Sequence, residues 1–211
     1  MSDRFPPGVD RRVIDGREVL ATKGPKVSEE RTSNGWREWD PTRSKVASML
    51  ELEMEIPLGA KKSVLYLGAA AGTTVSHVAD ICGPTYAIEF APRPTRFLIE
   101  AARPRKNLIP LLKDARKPHT YAHIVEPVDV LVQDVATRGQ ATVALRNKKF
   151  LKPEGTLILA IKARSEDVVA EPSDVFDSVC SELEPAFEIR ESTPIDRFHD
   201  DHLAVIADPQ S

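Results

Sequence analysis

The sequence predicts an α/β fold built on a mostly parallel seven-stranded sheet, preceded by a small β-hairpin subdomain. Three observations carry this. From Ser63 onward, short apolar runs alternate with helical segments, and the first five runs are continuous rather than polar on alternate residues. Strands buried on both faces of a parallel sheet read that way. The last two runs follow one another too closely to hold a crossover helix, so at least one of them is antiparallel. The first 60 residues are instead punctuated by Gly8, Gly16, Gly24-Pro25 and Asn34-Gly35, the spacing of tight hairpins. We therefore divide the chain into an N-terminal unit with its linking helix, 1–58, and a sheet domain, 59–211.

The elements follow in order. Arg12-Val13-Ile14 and Glu18-Val19-Leu20-Ala21 are short hairpin strands. Asp40 before Pro41 reads as an N-cap followed by proline at the first helical position. Apolar residues then keep helical spacing to Met54, which predicts a helix over 41–54. Predicted strands at 64–67, 85–90, 107–112, 128–132 and 155–161 alternate with helices at 73–81, 94–103 and 138–150. A helix at 172–183 leads to two final strands, 186–191 and 202–207. Met49 and Met54 read as core.

The chain of 211 residues, 41% hydrophobic and 29% charged, is ample for one ordinary domain. No apolar run approaches the roughly 18 to 20 residues of a membrane span, so no membrane role is expected. The start, MSDRFPPGVDRR, has no apolar core of a signal peptide. Cys82 and Cys180 stand far apart and form neither a disulfide framework nor a metal-ligand spacing. A reducing cytoplasm is the expected compartment, and no metal is expected.

The net charge of −3 conceals a partition. Residues 91–152 carry 13 basic and five acidic groups, whereas residues 163–211 carry three and 13. This pattern suits one face for polyanions and another for a basic partner. Two solvated faces of an ordinary protein would give the same counts.

Ligands of open parallel sheets bind beyond the carboxyl ends of the strands. After the first such strand stands Gly68-Ala69-Ala70-Ala71-Gly72-Thr73-Thr74, whose small residues let backbone approach a ligand. Its G-x-x-x-G spacing is neither the dinucleotide fingerprint nor a P-loop. Strand two ends in Glu89, 21 residues after Gly68, where a carboxylate can accept both ribose hydroxyls. Asp114-Ala115 and Asp134 close the next two strands. Three carboxylates at successive strand ends beside a glycine loop form a nucleoside-type site. The lack of phosphate-binding lysines near the loop favours S-adenosyl-L-methionine over NAD or ATP.

Lys162 ends the fifth parallel strand, where burial of an ammonium is costly without a partner, and Asp134 one strand over suits it. Lys45 and His202 flank apolar segments and, singly, read as surface. His77, His119, His123 and His199 show no ligand spacing and read as structural or solvated.

Together these residues resemble the fibrillarin family, the 2′-O-ribose methyltransferases of box C/D guide-RNA particles. The resemblance spans nearly the whole chain. It is densest in Trp36–Lys45, in Val64–His77 with its G-A-A-x-G-T-T-V-S-H loop, in Tyr86–Phe90 and in Asp114-Ala115-Arg116. Asp129–Ala136, Ile161-Lys162-Ala163 and Asp201-His202 also fit. With no glycine- and arginine-rich tail ahead of the domain, the chain looks like an archaeal member.

The resemblance implies a Rossmann-like S-adenosylmethionine-dependent methyltransferase with a catalytic tetrad at Lys45, Asp134, Lys162 and His202. It implies that Gly68, Ala70, Gly72, Thr73 and Thr74 form the cofactor loop, the threonines meeting the methionine part. Glu89 and Phe90 would hold the ribose and flank the adenine, Asp114 and Ala115 would address the adenine, and Asp134, Val135, Ala136 and Thr137 would close the site. Arg93, Arg96, Arg103, Arg105, Lys106, Arg116 and Lys117 would supply phosphate contacts to RNA near the site. Implied partners are box C/D guide RNA, target rRNA or tRNA, a Nop-domain scaffold protein and a kink-turn-binding protein. The family usually has Gln at position 137, Ser at 71 and Ser-His at 91–92, and a longer turn between Cys82 and Tyr86. A protein (glutamine) methyltransferase and a non-catalytic subunit of the same particle are the competing readings.

Overall fold

Residues 5–210 are described by the structure, a computed structural model. Residues 1–4 and 211 of the two expected units lie outside it. Hairpin chemistry builds the N-terminal sheet. β1 (Val9–Ile14) and β2 (Arg17–Lys23) are joined by Asp15-Gly16, with φ of 51° and 74°. β3 (Thr32–Ser33) and β4 (Trp36–Glu38) are joined by Asn34-Gly35, with φ of 50° and 78°. Two consecutive left-handed residues give the turn whose twist matches its flanking strands. The sheet order is β1-β2-β4-β3, antiparallel throughout.

The helix predicted over 41–54 is shorter: α1 is Lys45–Glu51, and its N-cap is Ser44 rather than Asp40. Ser44 is buried, and its hydroxyl oxygen accepts both the Ala47 amide at 3.3 Å and the Trp39 indole N–H at 2.9 Å. Trp39 needs a buried acceptor, and this contact five residues along the chain fixes the helix start at Ser44. Asp40 instead accepts from the Thr42 amide and hydroxyl, which makes a turn of 40–43.

The large sheet comprises β5 (Val64–Leu67), β6 (Thr85–Glu89), β7 (Leu108–Leu112), β8 (Val128–Gln133), β9 (Leu151–Lys162), β10 (Phe187–Pro194) and β11 (His202–Pro209). Its order is β10-β11-β9-β8-β5-β6-β7, parallel except that β11 runs against both of its neighbours. The connecting helices are α2 (Thr73–Ile81), α3 (Pro92–Ala102), α4 (Gln140–Asn147), the single turn α5 (Ala163–Glu166) and α6 (Pro172–Leu183). The segment expected as one helix over 138–150 ends at Asn147 and continues as a 3₁₀ turn, Lys148–Phe150. β9 begins four residues before the expected 155. Its pairing with β8 shifts between Val128 and Val130, so Pro153 lies in a bulge where it breaks no ladder bond.

Side chains alternate between the two faces of this sheet. Val64, Tyr66, Val130, Val132, Ile158 and Ala160 share one core with α1, α2, Leu98 of α3 and Leu20 and Trp39 of the N-terminal unit. Leu65, Leu67, Leu131, Leu157, Leu159 and Ile161 form the other with α4 and α6. The hairpin sheet is therefore packed into the first core rather than appended to it.

A buried ion cluster ties the N-terminal sheet to α2, which packs against the large sheet. Arg37 of β4 donates to Asp80 of α2 at 3.0 Å, to Glu30 at 3.0 Å and to the Ser76 hydroxyl at 2.8 Å. Arg105 donates to Asp80 at 2.8 and 3.2 Å and to the carbonyls of Ala101 and Pro25. Beside it, His77 stacks on Trp39 with centroids 4.9 Å apart and shares a 2.7 Å hydrogen bond with the Thr22 hydroxyl.

Candidate active site

The chain leaves β5 for β6 and β7 on one side, then returns to place β8 on the other. The switch point of the sheet is therefore between β5 and β8, where carboxyl-end loops diverge and open a crevice. Gly68 and Asp134 are the first residues beyond these two strands. A Cβ on Gly68 would lie 2.5 Å from the Asp134 carbonyl oxygen, and its φ is 84°, so glycine alone fits. Ala70 takes a left-handed φ of 48° without being glycine, a cost carried at a functional loop. That conformation aims its amide at Glu89, whose two oxygens accept from Ala70 N at 2.9 Å and Ala91 N at 2.8 Å.

These loops enclose a cavity of about 580 Å³, within the usual size for a small-molecule site. Gly68, Ala70, Thr73 and Thr74 line it, as do Glu89, Phe90, Asp114, Ala115, Val135, Ala136 and Thr137. The structure thus brings together the sequence-predicted cofactor residues, with one exception. Gly72 is buried against α3, where a Cβ would meet Ala101 and Leu98 at 3.0 and 3.1 Å. Its work is close helix packing, and it does not face the cavity.

The donor set fits a nucleoside without phosphates. Glu89 presents a carboxylate, held by backbone amides, to the cavity wall. Phe90 is 68% exposed and leaves a ring face free for a base. Asp114 lies farther along the wall, its carboxyl held below the usual range by hydrogen bonds from Arg116. The glycine loop itself carries no cation.

At the other end of the cavity three charged side chains meet. Lys162 Nζ lies 2.7 Å from Asp134 Oδ1, and Lys45 Nζ lies 3.8 Å from the same atom. The Lys162 approach is an ion pair without hydrogen-bond alignment; its directed bond goes to the Asp134 carbonyl at 3.3 Å. Asp134 thus anchors both amines. Tyr66 backs the cluster, its phenol hydrogen-bonded with Thr74 and held protonated by burial and by the Asp134 charge.

His202 pairs with Lys162 across the β11–β9 ladder and stands behind the cavity wall, not on it. Its Nδ1 is 2.6 Å from the Asp200 carbonyl. A carbonyl only accepts, so Nδ1 carries the proton and Nε2 keeps a lone pair. Burial lowers its pKa below 6.5; the Asp200 carbonyl and Asp134 oppose the shift, while Lys45 and Lys162 reinforce it. His199, read from sequence as structural or solvated, belongs to this cluster. Its ring centroid is 5.7 Å from that of His202, and its Nε2 donates to the Pro41 carbonyl at 2.9 Å. Its partner Pro41 lies 158 residues away in the chain, so the sequence carries no sign of that contact.

The sequence profile described as Fibrillarin matches residues 9–211. The chain belongs to the fibrillarin family. It is 60% identical over 206 residues to a protein of Haloarcula marismortui named fibrillarin-like rRNA/tRNA 2′-O-methyltransferase, covering 98% of each chain. The protein of that name from Halorubrum lacusprofundi is 61% identical over 207 residues, again covering 98% of each. Among solved structures, a fibrillarin/Nop5p complex superposes with a TM-score of 0.89 at 40% identity, covering 98% of this chain and 99% of that one. Aeropyrum pernix fibrillarin, in complex with natively bound S-adenosyl-L-methionine, gives 0.83 at 41% identity and covers 94% and 97%.

The basic residues expected near this fibrillarin site divide into three groups. Arg93 and Arg96 are exposed on the first turns of α3, which begins just after Phe90, and Arg116 and Lys117 are exposed beside Asp114. Arg103 and Lys106 are exposed at the opposite end of α3, where the chain turns back to the amino end of β7. They are remote from the cavity. Arg105 is no RNA ligand at all, since its side chain is 3% exposed and spent on Asp80. Arg43, two residues ahead of α1, also lines the cavity; it lies in the 40–43 turn, where the sequence predicts helix.

Proposed function

We propose that the chain transfers the methyl group of S-adenosylmethionine to ribose 2′-hydroxyls of rRNA, and of tRNA, as the catalytic subunit of a box C/D guide-RNA particle. One observation carries this reading: two lysine amines converge on Asp134 at the sheet's switch point, in the wall of a cavity suited to an unphosphorylated nucleoside. When bound there, S-adenosylmethionine supplies an activated methyl on a sulfonium centre. Glu89 accepts the ribose hydroxyls, Phe90 covers the base, and Thr73 and Thr74 meet the amino-acid end. The remaining work is alignment of the nucleophile and removal of one proton.

Lys162 orients the 2′-oxygen at Nζ and, as the free amine, takes its proton to become the ammonium that Asp134 balances, while Lys45 assists and Asp134 orients both side chains. His202, neutral and with its Nε2 lone pair free, offers the same cluster a second acceptor for that proton. Arg43 and Arg116, which line the cavity, and the exposed Arg93, Arg96 and Lys117 of the flanking segments hold RNA phosphates, which positions a strand without reading it. Sequence choice then falls to guide pairing. The fibrillarin/Nop5p complex supports a Nop-domain scaffold as partner; a kink-turn-binding protein completes the particle.

The test is a particle reconstituted with scaffold, kink-turn-binding protein, guide and target RNA, and methyl-labelled cofactor. Label at the guided ribose is expected. Label in a protein side chain would instead assign a protein methyltransferase, and no label a non-catalytic subunit.

A further inference from the structure

β8 and β9 stop pairing at Gln133 and Leu159, three residues before the end of β9. On that side Lys162 has no strand neighbour to bind its backbone, although β11 holds the other side through His202. A single side chain takes the missing place. Gln140, the first residue of α4 and fully buried, accepts the Lys162 amide at its Oε1 (2.9 Å) and donates from Nε2 to the Lys162 carbonyl (3.1 Å). A primary amide carries one acceptor and a donor fork, so it can substitute for the edge of a neighbouring peptide.

Gln140 is itself fixed from both directions. Glu166 accepts its amide at 2.5 Å and that of Gly139 at 2.8 Å, which holds the start of α4. Gln133 Nε2 donates to its carbonyl at 2.8 Å, and this turns Gln133 Oε1 into a buried acceptor without a hydrogen-bond partner among the described residues. Buried polar atoms are rarely left so. The fold carries that cost while keeping Gln140 in place.

We infer that Gln140 is a positioning residue for the methyl-transfer reaction: its side-chain amide fixes the backbone of Lys162, and so aims the amine at Asp134 and at the incoming 2′-oxygen. This rests on the proposed function, and deepens it. A displacement of about 1 Å in a reacting group can cost on the order of 100-fold in rate. Gln140 does not line the cavity, so cofactor binding is separable from the effect.

The experiment compares Gln140→Met, Gln140→Glu and Asp80→Asn in the reconstituted particle, well below the melting temperature of each. Gln140→Met removes both bonds to Lys162; a roughly 10- to 100-fold fall in kcat is expected, with calorimetric affinity for S-adenosylmethionine within about threefold of the unaltered chain. Gln140→Glu keeps the acceptor and loses the donor, and an intermediate kcat is expected. Asp80→Asn breaks the buried ion cluster with Arg37 and Arg105 and touches neither Gln140 nor Lys162. It is expected to lower the melting temperature while leaving kcat within about threefold. If kcat falls equally in Asp80→Asn and Gln140→Met, the role of Gln140 is structural and the inference is overturned. An unchanged kcat in both Gln140 variants also overturns it. Failure of the unaltered chain to methylate RNA would instead overturn the proposed function.

Discussion

Asp80→Asn is the most direct test of what joins the hairpin sheet to the large sheet. The Asp80 side chain is 5% exposed and sits between Arg37 and Arg105, at 0% and 3%. Asparagine has the same shape, so packing is conserved and only charge and one acceptor are lost. Burial disfavours the charge on Arg37, and Asp80 is the strongest influence opposing that, while Arg105 acts against it. Without Asp80 two buried guanidinium groups face each other, with Glu30 as the remaining carboxylate on Arg37. Breaking a buried pair costs about 3–5 kcal/mol, and we take about 4 kcal/mol here. For a chain of this size each kcal/mol shifts Tm by about 2–4 °C, so a drop of about 8–16 °C is expected in thermal unfolding followed by circular dichroism. The drop should persist in about 1 M salt, because buried charges are poorly screened. Glu38→Gln, which breaks the more exposed pair with Arg31, should cost less than about 1 kcal/mol. A loss below about 3 °C for Asp80→Asn would refute the view that this cluster is a structural joint.

Glu89→Gln should raise the Kd for S-adenosylmethionine by about 5- to 30-fold, since hydrogen bonds to a charged acceptor are worth about 1–2 kcal/mol more than neutral ones; isothermal calorimetry measures it. In the proposed mechanism His202 acts neutral, and its pKa is lowered from 6.5, so the part of the kcat–pH profile that His202→Gln removes should lie below about pH 6.5. A His202-dependent limb centred above about pH 7 would contradict this. Burial, with Arg37 and Arg105 adding, holds His77 well below its usual pKa. The unfolded chain therefore binds the extra proton, and this contribution to stability is full above about pH 6.5 and lost below it, by at most about 1.4 kcal/mol per pH unit. Urea unfolding at pH 5 and 7, with and without His77→Gln, should show the slope flattened in the variant.

The elements with strong local causes were legible in the sequence. Asp15-Gly16 and Asn34-Gly35 carry their turn geometry in their own conformational freedom, and continuous apolar runs have no stable place except a sheet buried on both faces. The three carboxylates at strand ends were legible for the same reason: once strands are found, their ends are found. The start of α1 was not, because Asp40 and Ser44 are both good caps and the Trp39 indole decides between them. Nor was the fate of the basic segment. Arg103, Arg105 and Lys106 are adjacent in sequence, yet one is drawn into the core by Asp80 and the others emerge at the far end of α3.

By itself, then, the sequence determined the strand and helix alternation, the hairpin subdomain, the cavity's carboxylates and Lys162, the strand-end lysine that meets Asp134. These depend on propensity, periodicity and position at strand ends, which act over a few residues. The tertiary structure alone decided which arginines face solvent, that the Pro41 carbonyl holds His199 beside the cluster, and that Gln140 takes the place of a missing strand beside Lys162. Those outcomes depend on partners tens to more than a hundred residues away in the chain. Only the closing of the fold brings such groups within hydrogen-bond distance, and only then does burial make each one's partner matter.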